Sequence, residues 1–267
     1  MMVKVGVIGA GGRMGKNLIN AIYENPQTVL AAAVDAPQFP GLGTDAALNA
    51  GRPASGVLIG SDLAAAFDTS DVLIDFSFRD AFPGVLAAAR AAKKPLVVGT
   101  TGLEAVHFAL IDEAASEIPV FHANNYSIGV AVLKSLVEQA ARRLGPAFDI
   151  EVTEVHHKLK KDAPSGTALT LAEAAASGRG LVPDDCFCYG REGMVGERPQ
   201  DQIAIHAIRG GDVVGEHTVY FFGDAERVTL GHVATSRMNF AHGAVRAAAW
   251  VVTKPSGRYG IDHLLVE

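Results

Sequence analysis

The chain has 267 residues, which suits one large domain or two of modest size. Its 23 basic and 29 acidic side chains leave a formal charge of −6, which gives no electrostatic reason to expect nucleic acid or an anionic membrane surface as a partner. Hydrophobic residues at 49% with charged residues at 19% exclude a disordered chain, and apolar runs such as Val29–Val34 fall far short of the ~20 residues a bilayer demands.

Taken in chain order, the β-branched run Val3–Ile8 predicts a strand, and Arg13–Asn25 a helix stopped by Asn25-Pro26. Thr28–Asp35 reads as a second strand. Ala81–Ala92, an Ala-rich helix ending before Lys93-Lys94-Pro95, lies between buried strands at Val72–Phe76 and Leu96–Val98. A short strand follows at Val120–Phe121. Strands alternating with helices predict right-handed crossovers and a parallel sheet, whose ligands sit at the carboxyl ends of the strands.

The character changes after Ser127. Ile128–Leu144 predicts one long helix ended by Gly145-Pro146, Phe148–Val155 a strand, and Thr167–Ala176 a helix closed by Gly178. Three strand-like runs follow at Gln202–Ile208, Val213–Phe222 and Arg227–Thr235, joined by short Gly-containing turns, before Phe240–Val252 returns to a helical pattern. The expected fold is α/β. A Rossmann-like dinucleotide-binding domain spans residues 1–126 plus 237–267, and a smaller α+β substrate and oligomerisation domain with a mixed sheet spans 127–236.

The first strand runs straight into Gly9-Ala10-Gly11-Gly12-Arg13-Met14-Gly15. A strict G-x-G-x-x-G register from Gly9 fails at Met14, whereas a Gly9/Gly12/Gly15 spacing fits. Residues without Cβ let backbone N–H groups approach a pyrophosphate at a helix N-terminus. Asp35, at the end of the second strand, stands where a carboxylate accepts hydrogen bonds from the adenosine ribose. A carboxylate there repels the 2′-phosphate of NADPH, and Ala36 supplies no cation to offset it, so NADH is favoured. Arg13 and Lys16 lie near enough in sequence to meet such a phosphate, which leaves NADPH open. Gly99-Thr100-Thr101-Gly102 and Ala123-Asn124-Asn125-Tyr126 follow later strands, where hydroxyl and amide groups suit the nicotinamide and its ribose.

The densest chemistry is Glu154-Val155-His156-His157-Lys158-Leu159-Lys160-Lys161-Asp162-Ala163-Pro164-Ser165-Gly166-Thr167. Its plain reading is a solvated basic loop with a helix cap. Its functional reading is an anion site: exposed amides and the dipole at a helix N-terminus favour one carboxylate, and the cations favour another. A histidine in such surroundings serves as a general acid near neutral pH. Together these residues point to hydride transfer to a small dianion.

These motifs, with Asn125-Tyr126-Ser127-Ile128-Gly129, Arg209-Gly210-Gly211, Gly215-Glu216-His217 and Arg237-Met238-Asn239-Phe240-Ala241, closely resemble the bacterial 4-hydroxy-tetrahydrodipicolinate reductases, long called dihydrodipicolinate reductases. The resemblance spans essentially the whole chain. It implies a two-domain homotetramer in which the C-terminal sheets associate. The implied reaction is NAD(P)H-dependent reduction of a cyclic hydroxy-dicarboxylate with loss of water, in lysine and diaminopimelate biosynthesis. It further implies His156 as proton donor and acceptor, Lys160 as a second donor that also meets substrate, and His157, Ser165, Gly166 and Thr167 as substrate ligands. Gly9, Ala10, Gly11, Gly12, Arg13, Met14, Asp35, Gly99, Thr100, Thr101, Ala123, Asn124, Asn125 and Tyr126 match cofactor contacts.

Other features carry less. Cys186 and Cys188 form a C-x-C pair without a second ligand pair, so no metal is expected, and reduced thiols fit a cytoplasmic protein. Val3–Ile8 is interrupted by Lys4 and Gly6 and is not followed by a small-residue cleavage site, so no secretory signal is expected. His206, His217 and His232 fall in strand-like runs and read as packed or interface histidines, while Arg237 and Phe240 read equally well as nicotinamide contacts or as structure. Two competing functions remain: an amino-acid dehydrogenase acting on aspartate, and a catalytically silent NADH-binding sensor.

Overall fold

A computed structural model describes residues 2–266. In chain order the elements are β1 (Val3–Ile8), α1 (Arg13–Glu24), β2 (Thr28–Val34), α2 (Ala46–Asn49), β3 (Ile59–Gly60), α3 (Leu63–Thr69), β4 (Val72–Asp75), α4 (Phe82–Ala92), β5 (Leu96–Val98), α5 (Ala105–Ala115) and β6 (Pro119–His122). They continue with α6 (Ile128–Leu144), β7 (Asp149–His156), α7 (Gly166–Arg179), α8 (Pro183–Cys186), β8 (Phe187–Tyr189), β9 (Ile203–Arg209), β10 (Gly215–Phe222), β11 (Arg227–Ala234), α9 (Met238–Val251) and β12 (Gly257–Tyr259). The chain divides into two compact units, one running to Ser127 and resuming at Arg237, the other comprising Ile128–Ser236.

The first unit is built on a parallel sheet in the order β12-β6-β5-β4-β1-β2-β3. Its strands are short runs of Val, Ile, Leu and Ala with both faces covered, as a buried parallel sheet requires. The chain winds outward from β1 to β3, then returns to the other side of β1 at β4. The ends of β1 and β4 therefore flank the switch point where α/β sheets bind ligands. Helix α1 buries Gly15, Leu18, Ile19 and Ile22, one stripe at helical spacing, and stops at Asn25 because Pro26 cannot continue it. Phe67, Phe82, Leu86, Leu96 and Ile111 are the bulk of the core beneath α3, α4 and α5.

In the second unit a mixed five-stranded sheet runs β11-β10-β7-β9-β8, antiparallel at β11-β10 and β10-β7 and parallel at β7-β9 and β9-β8. Helices α6 and α7 cover one face, packing Leu133, Val137, Leu171 and Ala175 on Ile150, Val152, Val219 and Phe221. Along β7 burial alternates strictly, so Ile150, Val152, Glu154 and His156 share the covered face.

Predicted boundaries hold within two residues for most elements, and one stop signal was misread. Helix α7 does not close at Gly178 but runs to Arg179, where Gly180 takes the left-handed conformation of a C-cap, with φ 67°. Gly178 serves packing instead: a Cβ there would lie 2.3 Å from the Glu138 carbonyl oxygen of α6. The sequence reading also passed over α2, α3, α5, α8 and the short strands β3, β8 and β12.

Candidate functional site

In the first unit the chain leaves β1 through Gly9, whose φ of 81° no ordinary residue takes up cheaply. Gly9 and Ala10 donate their amides to the Val34 carbonyl at 2.8 and 3.0 Å, tying the loop to the end of β2. Gly12 is the N-cap of α1, and no side chain caps its first turn. The first amides of the helix therefore present themselves as an anion site. Gly15 lets the helix press against the loop, since a Cβ would stand 2.2 Å from the Gly9 oxygen. The Phe39 ring covers Gly11 closely enough that a Cβ there would overlap it. Asp35 follows β2 directly, and its carboxylate accepts from Gly11 N at 2.7 Å and from Ala36 N at 2.8 Å.

A cavity of about 370 Å³ opens beside this loop. Met14 of α1, Gly99 and Thr101 after β5, and Ala123–Tyr126 after β6 all line it, so three separate sequence motifs meet there. Phe76 and Ser77, which follow β4 and were not anticipated, complete the wall with Arg237 and Phe240. Thr100 faces inward and donates its hydroxyl to Asp75 at 2.9 Å. Asp75, wholly buried at the end of β4, also accepts from Ser77 N, and burial pushes its carboxyl above the usual range. Tyr126 is buried with its hydroxyl donating to the Val98 carbonyl at 2.7 Å, which fixes the β6 loop against β5. Gly9–Arg13 form the glycine loop and Asp35 is bonded to it, and none of them lines this wall.

In the second unit His156, His157, Lys160, Ser165, Gly166 and Thr167 all lie on the segment that connects β7 to α7. His156 ends β7 on the covered face, with Nδ1 2.6 Å from a Glu154 oxygen. Its ring meets that of His217 edge to face at 5.2 Å, and His217 Nε2 lies 3.0 Å from the Ser165 hydroxyl. Ser165 is the N-cap of α7, its hydroxyl accepting from Ala168 N at 3.2 Å. Gly166, the first residue of the helix, faces open space. His157 is anchored through its amide to the Val213 carbonyl at 2.8 Å, while its buried Nδ1 has no protein partner. Lys160 Nζ lies 2.9 and 2.8 Å from the two oxygens of Asp162.

Electrostatics divide these groups. Burial lowers the pKa of His156, aided by the charges of Lys160 and Arg209, while Glu154 pulls the other way. His217 is pushed down to about 4 by burial and the neighbouring His156, and so is neutral near pH 7. The hydrogen bond from Lys160 holds Asp162 below the usual carboxylate range. A helix N-terminus, an ammonium group and an imidazole with a perturbed pKa on one segment can hold a carboxylate and deliver a proton.

Sequence reasoning gives Glu154 and Arg209 no role in this cluster and reads His217 as a packed or interface histidine. Glu154 carried a usable signal, because a residue two before His156 on a strand shares its face. Arg209 and His217 come from β9 and β10, and only strand register brings them in. His206 is accounted for elsewhere, its Nε2 lying 2.7 Å from the Glu151 carboxylate. Cys186 and Cys188 are free thiols, and the described residues contain no His/Cys/Asp/Glu group suited to a metal.

Comparison with known proteins agrees with both halves. The family model "Dihydrodipicolinate reductase, N-terminus" matches residues 3–126 and the corresponding C-terminal model matches residues 129–265. The 4-hydroxy-tetrahydrodipicolinate reductase of Halorhodospira halophila is 49% identical over 265 residues, covering 99% of both chains. That of Alkalilimnicola ehrlichii is 48% identical over the same share. Among solved structures, the dipicolinate-bound dihydrodipicolinate reductase from Paenisporosarcina sp. TG-14 superposes with a TM-score of 0.76 at 25% identity, covering 99% of this chain and all of that one.

Proposed function

Because the chain belongs to the dihydrodipicolinate reductase family of oxidoreductases, we propose that it reduces 4-hydroxy-tetrahydrodipicolinate to tetrahydrodipicolinate with loss of water, using NADH or NADPH, in lysine and diaminopimelate biosynthesis. The observation that carries this reading is the gathering of His156, Lys160 and the open N-terminus of α7 on one twelve-residue segment, His156 to Thr167. It supplies an acid, a cation and an anion-binding helix end, and a cyclic dicarboxylate needs all three.

The residues of the first unit fit a dinucleotide. The uncapped N-terminus of α1 suits a pyrophosphate, and the cavity walled by Met14, Gly99, Thr101 and Ala123–Tyr126 suits a nicotinamide riboside. When bound, the reduced nicotinamide supplies the hydride. Asp35 beside the glycine loop favours NADH, since its carboxylate opposes a 2′-phosphate and Ala36 brings no positive charge.

In the second unit the amides of Gly166 and Thr167, with the Thr167 hydroxyl, hold one substrate carboxylate, and His157 meets another polar edge. Lys160 stabilises the charge that develops as electrons move toward the ring nitrogen. His156 delivers and accepts the proton. The first unit is thus read as the dinucleotide-binding domain and the second as the substrate and oligomerisation domain.

The open face of the second sheet supports a homotetramer built by sheet association. Register places Ile208, Val155, Glu216 and Val233 in one row across it, and Ile208 and Val233 are 51% and 61% exposed. Among the described residues no helix is long and apolar enough to cross a membrane. A cytoplasmic location fits the reduced thiols.

A coupled assay tests the central claim. Pyruvate and aspartate semialdehyde are condensed in situ by the preceding synthase, and oxidation of NADH or NADPH is followed by absorbance. Oxidation that requires both substrates and the synthase is expected. NADH binding without any turnover would leave the fold intact and move the activity elsewhere.

A further inference from the structure

Strand β7 spends a core-facing position on a carboxylate. Glu154 lies between Val152 and His156 on the covered face and is wholly buried. A buried ion pair is a poor source of stability, because an apolar side chain of similar size packs there without the desolvation cost. The bonding of Glu154 shows what the carboxylate does instead. One oxygen accepts from Ser165 N at 3.0 Å and from an Arg209 nitrogen at 2.7 Å. The other accepts from the second Arg209 nitrogen at 2.7 Å and faces His156 Nδ1 at 2.6 Å. Both oxygens are saturated, and the partners come from β7, β9 and the start of α7.

Building on the reductase reading, we propose that Glu154 is a positioning residue: its carboxylate holds the His156 ring with Nδ1–H toward itself and Nε2 toward the substrate, and locks that ring to the helix end at Ser165. The tautomer follows from chemistry. Burial alone would raise the Glu154 carboxyl, but the Arg209 fork, His156 and the Ser165 amide outweigh it and keep Glu154 ionised. An ionised carboxylate only accepts, so the hydrogen of the short contact resides on Nδ1. Nε2 then points away from the carboxylate. Gly215 of β10 keeps that edge clear, for a Cβ there would stand 3.0 Å from Nε2. The same carboxylate orients the Ser165 amide and hence the first turn of α7, so proton donor and anion site share one anchor.

The charged and titratable groups facing His156 are Glu154 on its own strand, Arg209 on β9, His217 on β10 and Lys160 in the following loop. Of these Glu154 alone favours the protonated ring. Glu154→Gln therefore lowers the His156 pKa, and the loss of activity that sets in as His156 deprotonates moves to lower pH. Without its acceptor the ring also loses its fixed tautomer, and kcat is expected to fall by roughly 10²–10⁴-fold while NADH affinity stays within about twofold.

The test uses full-length protein labelled with ¹⁵N-histidine, the His156 signals being assigned by their absence from His156→Gln. Nitrogen shifts of an Nδ1–H tautomer are expected in the unsubstituted protein, and a mixture of tautomers in Glu154→Gln. An Nε2–H tautomer in the unsubstituted protein overturns the proposal, and that reading does not depend on Glu154→Gln folding. A folded Glu154→Gln enzyme with kcat within about threefold of the original and an unmoved pH profile also overturns it. Absence of turnover in the unsubstituted protein would sink the reductase reading instead, while the nitrogen shifts still decide what Glu154 does to His156.

Discussion

The Asp35 carboxylate accepts a hydrogen bond from the backbone of Gly11, 2.7 Å away, so the acid that follows β2 is held against the loop that starts α1. In the proposed function this fixed negative charge opposes a 2′-phosphate on the adenosine ribose. NADH is expected to bind more tightly than NADPH, and Ala36→Arg to shift the ratio of their dissociation constants toward NADPH by up to about tenfold, the scale of one partly exposed charge pair. Titration of each cofactor by fluorescence measures both constants. Tighter NADPH binding by the unsubstituted protein would discard this role for Asp35.

Lys160 spans both oxygens of Asp162, and its charge acts on His156. Replacing it with Ala removes a positioned cation and leaves the first unit untouched. Turnover is expected to fall roughly a hundredfold or more with NADH affinity unchanged. Steady-state kinetics with a parallel NADH titration separates the two effects, and normal turnover would remove Lys160 from the mechanism.

Gly15 and Gly12 make a contrasting pair. A Cβ on Gly15 meets the Gly9 oxygen at 2.2 Å and Ala10 Cα at 2.6 Å, both of them backbone atoms that cannot step aside. On Gly12 the nearest atom is 3.3 Å away. Gly15→Ala should cost about 1–3 kcal/mol and weaken NADH binding at least tenfold or so, whereas Gly12→Ala should cost under about 1 kcal/mol. Thermal melts and NADH titrations of the two variants provide the comparison. Equal behaviour would mean that the helix does not depend on this close approach.

His217 and His122 are each held down to about 4 from an ordinary 6.5, both mainly by burial, with the His156 ring adding at His217 and Arg258 at His122. A histidine with a lowered folded pKa stabilises the fold fully above the unfolded value. That stability drains away as pH falls from 6.5 toward 4, because the unfolded chain takes up the proton first. Each group accounts for roughly 3 kcal/mol across this window. Urea unfolding at stepped pH should show the decline, and His217→Gln should lose the His217 share of it while keeping that of His122 and of the other histidines lowered by burial, His156 and His232. A variant with the original slope would show that His217 is protonated without penalty.

What could be read from the sequence was what lies consecutively along it. The strand-to-glycine transition at Val3–Gly15 and the segment from His156 to Thr167 each keep their chemistry within a dozen or so neighbours, so pattern and spacing suffice. The partnership of Glu154 with Arg209, and of Ser165 with His217, spans 55 and 52 residues and depends on strand register, which side-chain pattern does not fix. Between Asp35 and Val72 the signals are weak because β3 is only two residues long and α3 is a single short helix capped by Asp62. At the end of α7 two glycines stand two residues apart, and nothing local says that Gly178 packs while Gly180 caps.

The first sheet is closed at one edge by β12, which pairs with β6, and α9 lies against α1, so this unit draws on segments separated by the 109 residues of Ile128–Ser236. Synthesis imposes an order on such an arrangement. The inserted unit is contiguous and can fold as soon as Ser236 has cleared the ribosome. The first sheet, though begun first, waits for Gly257–Tyr259 before its last strand can be laid down. A chain truncated after Ser236 and free of the ribosome would therefore carry a protease-resistant second half and a still-labile first half, with the glycine loop already made and α1 lacking its partner helix.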